Sequence, residues 1–375
     1  MPAAAAPLPP ADAAGTGWAL GPFEKLDAVN PVLLPRPDAA FDCPVAGRVA
    51  WERKDVFNPA AVVRGGRVHL LYRAEDEVGA CAGTSRIGLA SSDDGLAFER
   101  RDAPVLFPTG PDGLDWPGGC EDPRVVEDEG GLLVMTYTAY DGRRARLCVA
   151  TGEDLTHWTP RGVAFCGQGG RYRDTWAKSG SIVCRATGDG RLVAHRIHGR
   201  YWMYWGESAV FCATSDDLIR WDVVETTAEA DRTFTPHVGN VITPGASVPR
   251  PVAGVRAGRF DAWLVEPGPP ALWSPGGVRL LYNGVAATDG RTQPGTTDGA
   301  RRYCPGQLLF DPDQPTEVLR RLAEPMFVPD RGYELAGQVD DVCFIEGLVW
   351  FRGSWLLYYG TADSAIAVAR CVPSG

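Results

Sequence analysis

The sequence predicts an all-β fold, a five-bladed β-propeller, on three observations. First, a short phrase recurs five times: a polar or charged residue, an apolar run, a turn, then a strand ending in Tyr. Its copies run from Asn58 to Tyr72, Asp122 to Tyr137, Lys178 to Tyr204, Glu266 to Tyr282 and Glu346 to Tyr358, with the Tyr positions 65 to 78 residues apart. That period is too long for one hairpin and suits a four-stranded unit. Second, the strand after each of the first three Tyr positions ends in a turn rich in Asp, Ser or Gly, whose side chains and backbone favour tight reversals. Third, no segment carries a long helical apolar period, while 45 Gly and 31 Pro supply many turns. Radial repetition of small antiparallel sheets protects strand edges. It would also bring the five polar heads together at the mouth of one channel.

Taken in chain order, residues 1–17 are rich in Ala and Pro and are expected to form a flexible tail ahead of a single domain over 18–375. They lack a basic start, and Pro7, Pro9 and Pro10 interrupt the apolar run that a signal peptide needs. Blade hairpins are expected at Ser85–Gly95, Ala145–Leu155 and Ala209–Leu218, with Phe98, Trp158 and Trp221 opening the next strands. Pro123 is expected to bias Asp122 toward an extended conformation. Two long connections, 226–259 and 286–302, are candidate lids over the channel. The last blade is expected to join early and late strands, so that no edge is left unpaired.

A net charge of −10 without a Lys/Arg run argues against nucleic acid or an anionic membrane as partner. No apolar run approaches the roughly 18 residues that propose a membrane span. Ten cysteines occur without a CxxC pair, and Cys148, Cys184, Cys212 and Cys343 lie in apolar runs, so reduced, buried thiols and a cytoplasmic setting are expected. The five histidines show no ligand spacing, and neither a metal nor another cofactor is expected. A homo-oligomer is compatible with all of this.

Cleavage of a glycosidic bond needs one carboxyl to donate a proton and a second carboxylate to activate water or attack carbon. Asp122, in Gly119-Cys-Glu-Asp-Pro-Arg, heads one inner strand, and Glu207, Glu266 and Glu346 each lie beside Gly or Pro. Burying several carboxylates is costly without bases, so Arg73, Arg124 and Lys178 are expected in the same cavity. Trp116, Tyr140, Trp176, Tyr201, Trp205 and Tyr303 are candidates to stack on a sugar ring. Trp158, Trp221, Trp350 and Trp355 are expected in the core.

With these residues in view, the chain resembles glycoside hydrolase family 130, the mannoside phosphorylases and β-mannosidases. The matching phrases are Phe57-Asn-Pro-Ala-Ala-Val, Leu71-Tyr-Arg-Ala-Glu-Asp, Thr84-Ser-Arg-Ile-Gly-Leu-Ala, Gly119-Cys-Glu-Asp-Pro-Arg, Lys178-Ser-Gly-Ser-Ile-Val, Glu266-Pro-Gly-Pro-Pro and Tyr359-Gly-Thr-Ala-Asp-Ser. The resemblance implies a five-bladed propeller and an inverting reaction on a mannose-containing oligosaccharide. Asp122 would be the donor, acting through a sugar hydroxyl, and Glu207 or Glu266 the base. Asn58, Arg73, Glu121, Arg124, Tyr140, Lys178, Tyr303, Glu346 and Asp363 are the expected substrate contacts. The phrases that begin at Tyr303, Phe344 and Trp355 look like the hydrolase branch, which resembles β-1,2-mannosidases. The alternative is a phosphorylase releasing mannose 1-phosphate, with Arg146, Arg161 and Lys178 as the clamp for inorganic phosphate. A non-catalytic interaction module is a further alternative, since fold alone does not give function.

Overall fold

The computed structural model describes residues 4–12, 14–77, 81, 83–228, 245–287 and 301–373. Of the two candidate lids, 229–244 of the first and 288–300 of the second lie outside these residues. The described fold is nearly all β, with one four-residue α-helix at Gly332–Leu335 and one 3-10 turn at Gln168–Gly170.

Among the described residues the main strands form five successive antiparallel units. The first pairs Asp55–Arg64, Arg67–Glu75, Ser85–Ser92 and Glu99–Arg100 in order. The second pairs Gly119–Glu127, Leu133–Tyr140, Ala145–Gly152 and Thr159–Val163. In the third, Ser181–Ala186 meets Arg200–Trp205, then Val210–Ser215 and Asp222–Val223. The fourth pairs Leu264–Pro267 with Gly277–Ala287, then Arg301–Phe310 and Val318–Arg321. The fifth runs Cys343–Phe351, Ser354–Thr361 and Ala365–Cys371, and its outer strand pairs with Glu24–Lys25. Early and late strands thus share a sheet, as the sequence suggested.

Polar contacts pass from each unit to the next. Asn58 reaches Asp122, Thr136 Oγ1 donates to the Gly180 carbonyl, and Ser181 Oγ donates to the Pro269 carbonyl. Asn283 bonds to the Ile345 backbone, and Tyr358 Oη donates to the Gly95 carbonyl, which returns from the fifth unit to the first.

The recurring Tyr residues explain the packing. Tyr72, Tyr137, Tyr204, Tyr282 and Tyr358 are all buried, and each faces a smaller residue on the next strand. The partners are Gly88, Cys148, Cys212, Gly306 and Val368. Cys148 and Cys212 therefore occupy the same place in the repeat as two glycines, leaving room for a ring. Eight of the ten free cysteines are buried, with Cys166 exposed and Cys81 between.

The turns follow the sequence closely. Asp94, Asp154, Asp217 and Asp311 each accept two backbone N–H bonds from residues two and three positions ahead. These reversals close four of the five units with the same side-chain chemistry.

One expectation is corrected. The segment 4–12, read as a flexible tail, is docked across three units. Ala6 N donates to the Ala186 carbonyl at 2.9 Å, Trp355 Nε1 to the Pro7 carbonyl at 2.9 Å, and Arg279 to the Pro9 carbonyl. Ala6 is buried and Leu8 packs on the core. A Pro-rich extended strand needs external partners for its carbonyls, and here the sheet units supply them.

Candidate active site

The polar heads converge because their strands are bulged. In the first unit the register shifts between Phe57 and Pro59, in the second between Glu121 and Arg124, and in the fifth between Ile345 and Gly347. The residues inside the first two bulges, Asn58 and Asp122, have φ of 46° and 50°. Asp122 is thus left-handed rather than extended, which corrects the expectation drawn from Pro123. Asn and Asp tolerate this region better than other side chains, and a bulge re-aims a side chain. Ser179, next to the third head Lys178, has φ of 58°.

Asp122 is buried and accepts from Asn58 Nδ2 at 3.0 Å and Arg73 Nη1 at 3.3 Å. Arg73 also reaches Glu75 at 2.6 Å and Glu121 at 3.3 Å, and its guanidinium lies 4.7 Å from the Phe57 ring centre. Lys178 Nζ sits 3.6 Å from Glu121 and also feels Glu207, Asp122 and Glu266, all of which push its pKa up against burial. One ammonium therefore links the Asp122 side of the site to the Glu266 side.

Glu266 is buried and takes a short hydrogen bond from Ser179 Oγ. Burial first, and then the neighbouring Glu207, push its carboxyl up to about 8 against the pull of Lys178 and Arg124. Glu207 accepts from Trp176 Nε1 at 2.6 Å, and the Trp176 ring meets Tyr140 edge-on at 6.3 Å. Asp122 behaves oppositely. Burial would raise it, but Arg73, Lys178, Asn58 and Arg124 together hold it below the usual carboxylate value. Its neighbour Glu121 is raised, by burial and by the like charge of Asp122 and Glu75, in spite of Arg73 and Lys178. Asp363 is raised to about 7, by burial and by Asp122 and Glu75 against Arg73. Tyr303 is pushed up to about 12 by burial; Asp363, Glu266 and Glu207 lie within its electrostatic reach.

Two expected substrate contacts lie deeper. Arg124 and Glu346 are 2% and 0% exposed, which leaves no surface for a ligand. Arg124 donates from Nε to the Gly268 carbonyl at 2.7 Å, from Nη2 to the Pro267 carbonyl at 2.9 Å and from Nη1 to the Asp122 carbonyl at 3.1 Å. Its Nη1 also lies 3.4 Å from Glu346 Oε1.

The arginines of the expected phosphate clamp have partners of their own within the second unit and the segment that follows it. Arg161 is exposed on the outer strand of the second unit and bonds to Thr151 Oγ1. Arg146 is held by Asp141 at 2.6 Å and Asp174 at 3.0 Å. Of the stacking candidates, Tyr201 and Trp205 are core residues: Trp205 packs between Phe165 and Phe211, and Tyr201 lies under Arg196. Their position one strand in from the turn, where alternation points them inward, is the reason. Sequence reasoning missed Asn283, which is fully buried directly across from Glu266 on the adjoining strand. It also missed Ser179 as the partner of Glu266. Among the described residues no group of three or more His, Cys, Asp or Glu side chains is arranged to hold a metal, and no helix is long and apolar enough to cross a membrane.

Comparison with known proteins places this arrangement among mannoside-active enzymes. The model of glycoside hydrolase family 130, described as β-1,4-mannooligosaccharide phosphorylase, matches residues 36–372. A 1,2-β-oligomannan phosphorylase of Thermoanaerobacter sp. (strain X514) is 29% identical over 348 residues, 91% of this chain and 94% of that protein. A solved structure described with the words "the GH130 family of mannoside phosphorylases contains glycoside hydrolases that target beta-1,2 mannosidic linkages in Candida mannan" is 42% identical. Its TM-score is 0.83, and the match covers 95% of each chain. A glycosyl hydrolase from Bacteroides ovatus is 40% identical with a TM-score of 0.83, covering 98% of this chain and 97% of that one.

Proposed function

Because the chain belongs to glycoside hydrolase family 130, a family of mannoside-processing enzymes with propeller-like folds, we propose that it is an inverting hydrolase of β-linked mannosides, β-1,2-mannosides first among them. We read the five sheet units as five blades. The observation that carries the hydrolase reading is the fate of the cations. Arg146 is already paired with Asp141 and Asp174, Arg161 is bonded to Thr151, and Lys178 sits among four carboxylates. A phosphate dianion placed there would meet like charge in a poorly screened pocket.

In this reading Glu266 takes a proton from water as the water oxygen bonds to the anomeric carbon and the glycosidic C–O bond breaks. A base whose pKa lies near the working pH is suited to that task, and burial, helped by the proximity of Glu207, sets it there. The leaving oxygen receives a proton that originates on Asp122 and passes through a sugar hydroxyl. Asp122 is held ionised in the free enzyme by Arg73 and Lys178. A sugar filling the mouth deepens its desolvation, which favours the protonated carboxyl. Arg73, Tyr140, Tyr303 and Asp363 line the approach as candidate sugar contacts. The free thiols suit a reducing, cytoplasmic setting.

The second reading, phosphorolysis to mannose 1-phosphate, is favoured by the description of the family model and by the names of the curated relatives. The experiment that separates the two is product analysis on β-1,2-mannobiose with and without inorganic phosphate. Free mannose formed without phosphate, at a rate that phosphate does not raise, is expected. Turnover that begins only with phosphate and yields mannose 1-phosphate overturns the hydrolase assignment.

A further inference from the structure

Behind the carboxylates of the site runs a buried polar network of hydrogen bonds and one ion pair. Arg124, 142 positions before the base in the chain, bonds to the carbonyl of Asp122 and to those of Pro267 and Gly268, the two residues that follow Glu266. Glu266 lies opposite Asn283 on the adjoining strand. Asn283 Nδ2 donates to the Ile345 carbonyl at 3.1 Å, and Ile345 N donates back to Asn283 Oδ1 at 2.8 Å. Glu346, next in the chain, returns to Arg124 at 3.4 Å. That contact is an ion pair rather than a hydrogen bond, since neither oxygen of Glu346 has a hydrogen-bond partner. These contacts tie the second, fourth and fifth units together at the level of the acid and the base.

We propose that Arg124 is a positioning residue that fixes the separation of Asp122 from Glu266, with Asn283 and Glu346 completing its frame. The inference rests on the assignment of Asp122 as acid and Glu266 as base. Its physical ground is the guanidinium itself. A planar fork with five N–H groups can hold three carbonyls and face a carboxylate at once, while the single ammonium of Lys cannot match those directions. In an inverting reaction the gap between the carboxyl groups must admit a water, so a frame that sets the gap acts on the rate of the chemical step. Substrate binding at the mouth is not touched, because neither Arg124 nor Asn283 has exposed surface.

The test is Arg124→Lys, which keeps the charge and removes the fork. The expected result is kcat lower by roughly 10- to 100-fold, the scale of a small misplacement of reacting groups, with KM within about twofold of the parent. Asn283→Asp keeps the acceptor for Ile345 N and loses the donor, and is expected to show the same split with a smaller fall. A structural role alone would lower the folded fraction and leave kcat per folded molecule unchanged, and that outcome overturns the proposal. If Arg124→Lys does not fold, Asn283→Asp decides: an unchanged kcat sinks the positioning role. Asp122→Asn and Glu266→Gln run in the same assay keep the two layers apart. Inactive Asp122→Asn and Glu266→Gln beside a fully active Arg124→Lys defeat the positioning role only, whereas activity in either of the former defeats the acid and base assignment itself.

Discussion

The side-chain amide of Asn58 donates to Oδ1 of Asp122 across 3.0 Å, and so crosses from the first sheet unit to the second. Both residues sit in left-handed backbone inside bulges, so two separate irregularities are aimed at one another. The bond favours the ionised carboxylate. Asn58→Asp keeps a residue that tolerates this backbone, removes the donor and adds a like charge. Asp122 should then protonate at higher pH. Because an acid works only while protonated, the alkaline limb of the kcat/KM profile should move to higher pH. A limb that stays in place, or moves down, removes Asp122 as the group it reports.

Asp122→Asn supplies the more direct test of the same residue. The amide is nearly isosteric but carries no transferable acidic proton, so turnover should fall by more than ~100-fold. Folding and sugar binding, followed by circular dichroism and calorimetry, should be retained. Near-parental turnover is incompatible with the mechanism above.

The two glutamates should separate by pH. Glu266 must be ionised to act as base, so activity is lost as pH falls through its pKa, which burial and Glu207 raise to about 8. Glu207→Gln removes one like charge, and the acid limb of kcat/KM should move to lower pH while activity persists. Glu266→Gln should abolish turnover. The reverse pattern, with Glu207→Gln inactive and Glu266→Gln active, would transfer the base to Glu207.

Away from the site, a Cβ added at Gly306 would lie 2.6 Å from Cζ of Tyr282 and 2.7 Å from Cζ of Phe260. Gly306→Ala should cost ~1–3 kcal/mol, the scale of overpacking a core. Denaturant unfolding measures it, and kcat per folded molecule should be unchanged. A variant as stable as the parent would show that the Tyr–small-residue pairing is not a packing constraint.

Much of this molecule was legible because its repeat is chemical as well as structural. The five Tyr positions and the Ser/Asp turns are local signals, and the polar heads Asn58, Asp122 and Glu266 stood out beside their prolines. The backbone at Asp122 was misjudged because the pre-proline rule describes a chain without neighbours, whereas the bulge is imposed by pairing with Thr136 and Thr138. Arg124 and Glu346 looked like ligand contacts, since a sequence shows charge but not depth. Asn283 carried no signal of its own, for its role depends on a strand 62 residues away. The segment 4–12 was read from composition, and its partners on three distant units are invisible to composition. The partners of Arg146 and Arg161 were hidden for a similar reason: nothing in a one-dimensional pattern shows which carboxylate or hydroxyl an arginine will reach first.

Lys25 lies opposite Ala369 in the sheet that closes the fifth unit, and its ammonium is 2.6 Å from both Asp330 and Glu334. Nearly the whole described chain separates these partners. Contacts of such sequence separation cannot form while the intervening strands are still disordered without a large loss of chain entropy. During synthesis, the residues around Lys25 leave the ribosome long before 365–371 exist, and they must wait as an unsatisfied edge. The seam is therefore the last thing to assemble and the first that a stretched or partly unfolded chain should release. A probe pair placed across it would report ring closure separately from the folding of the units themselves.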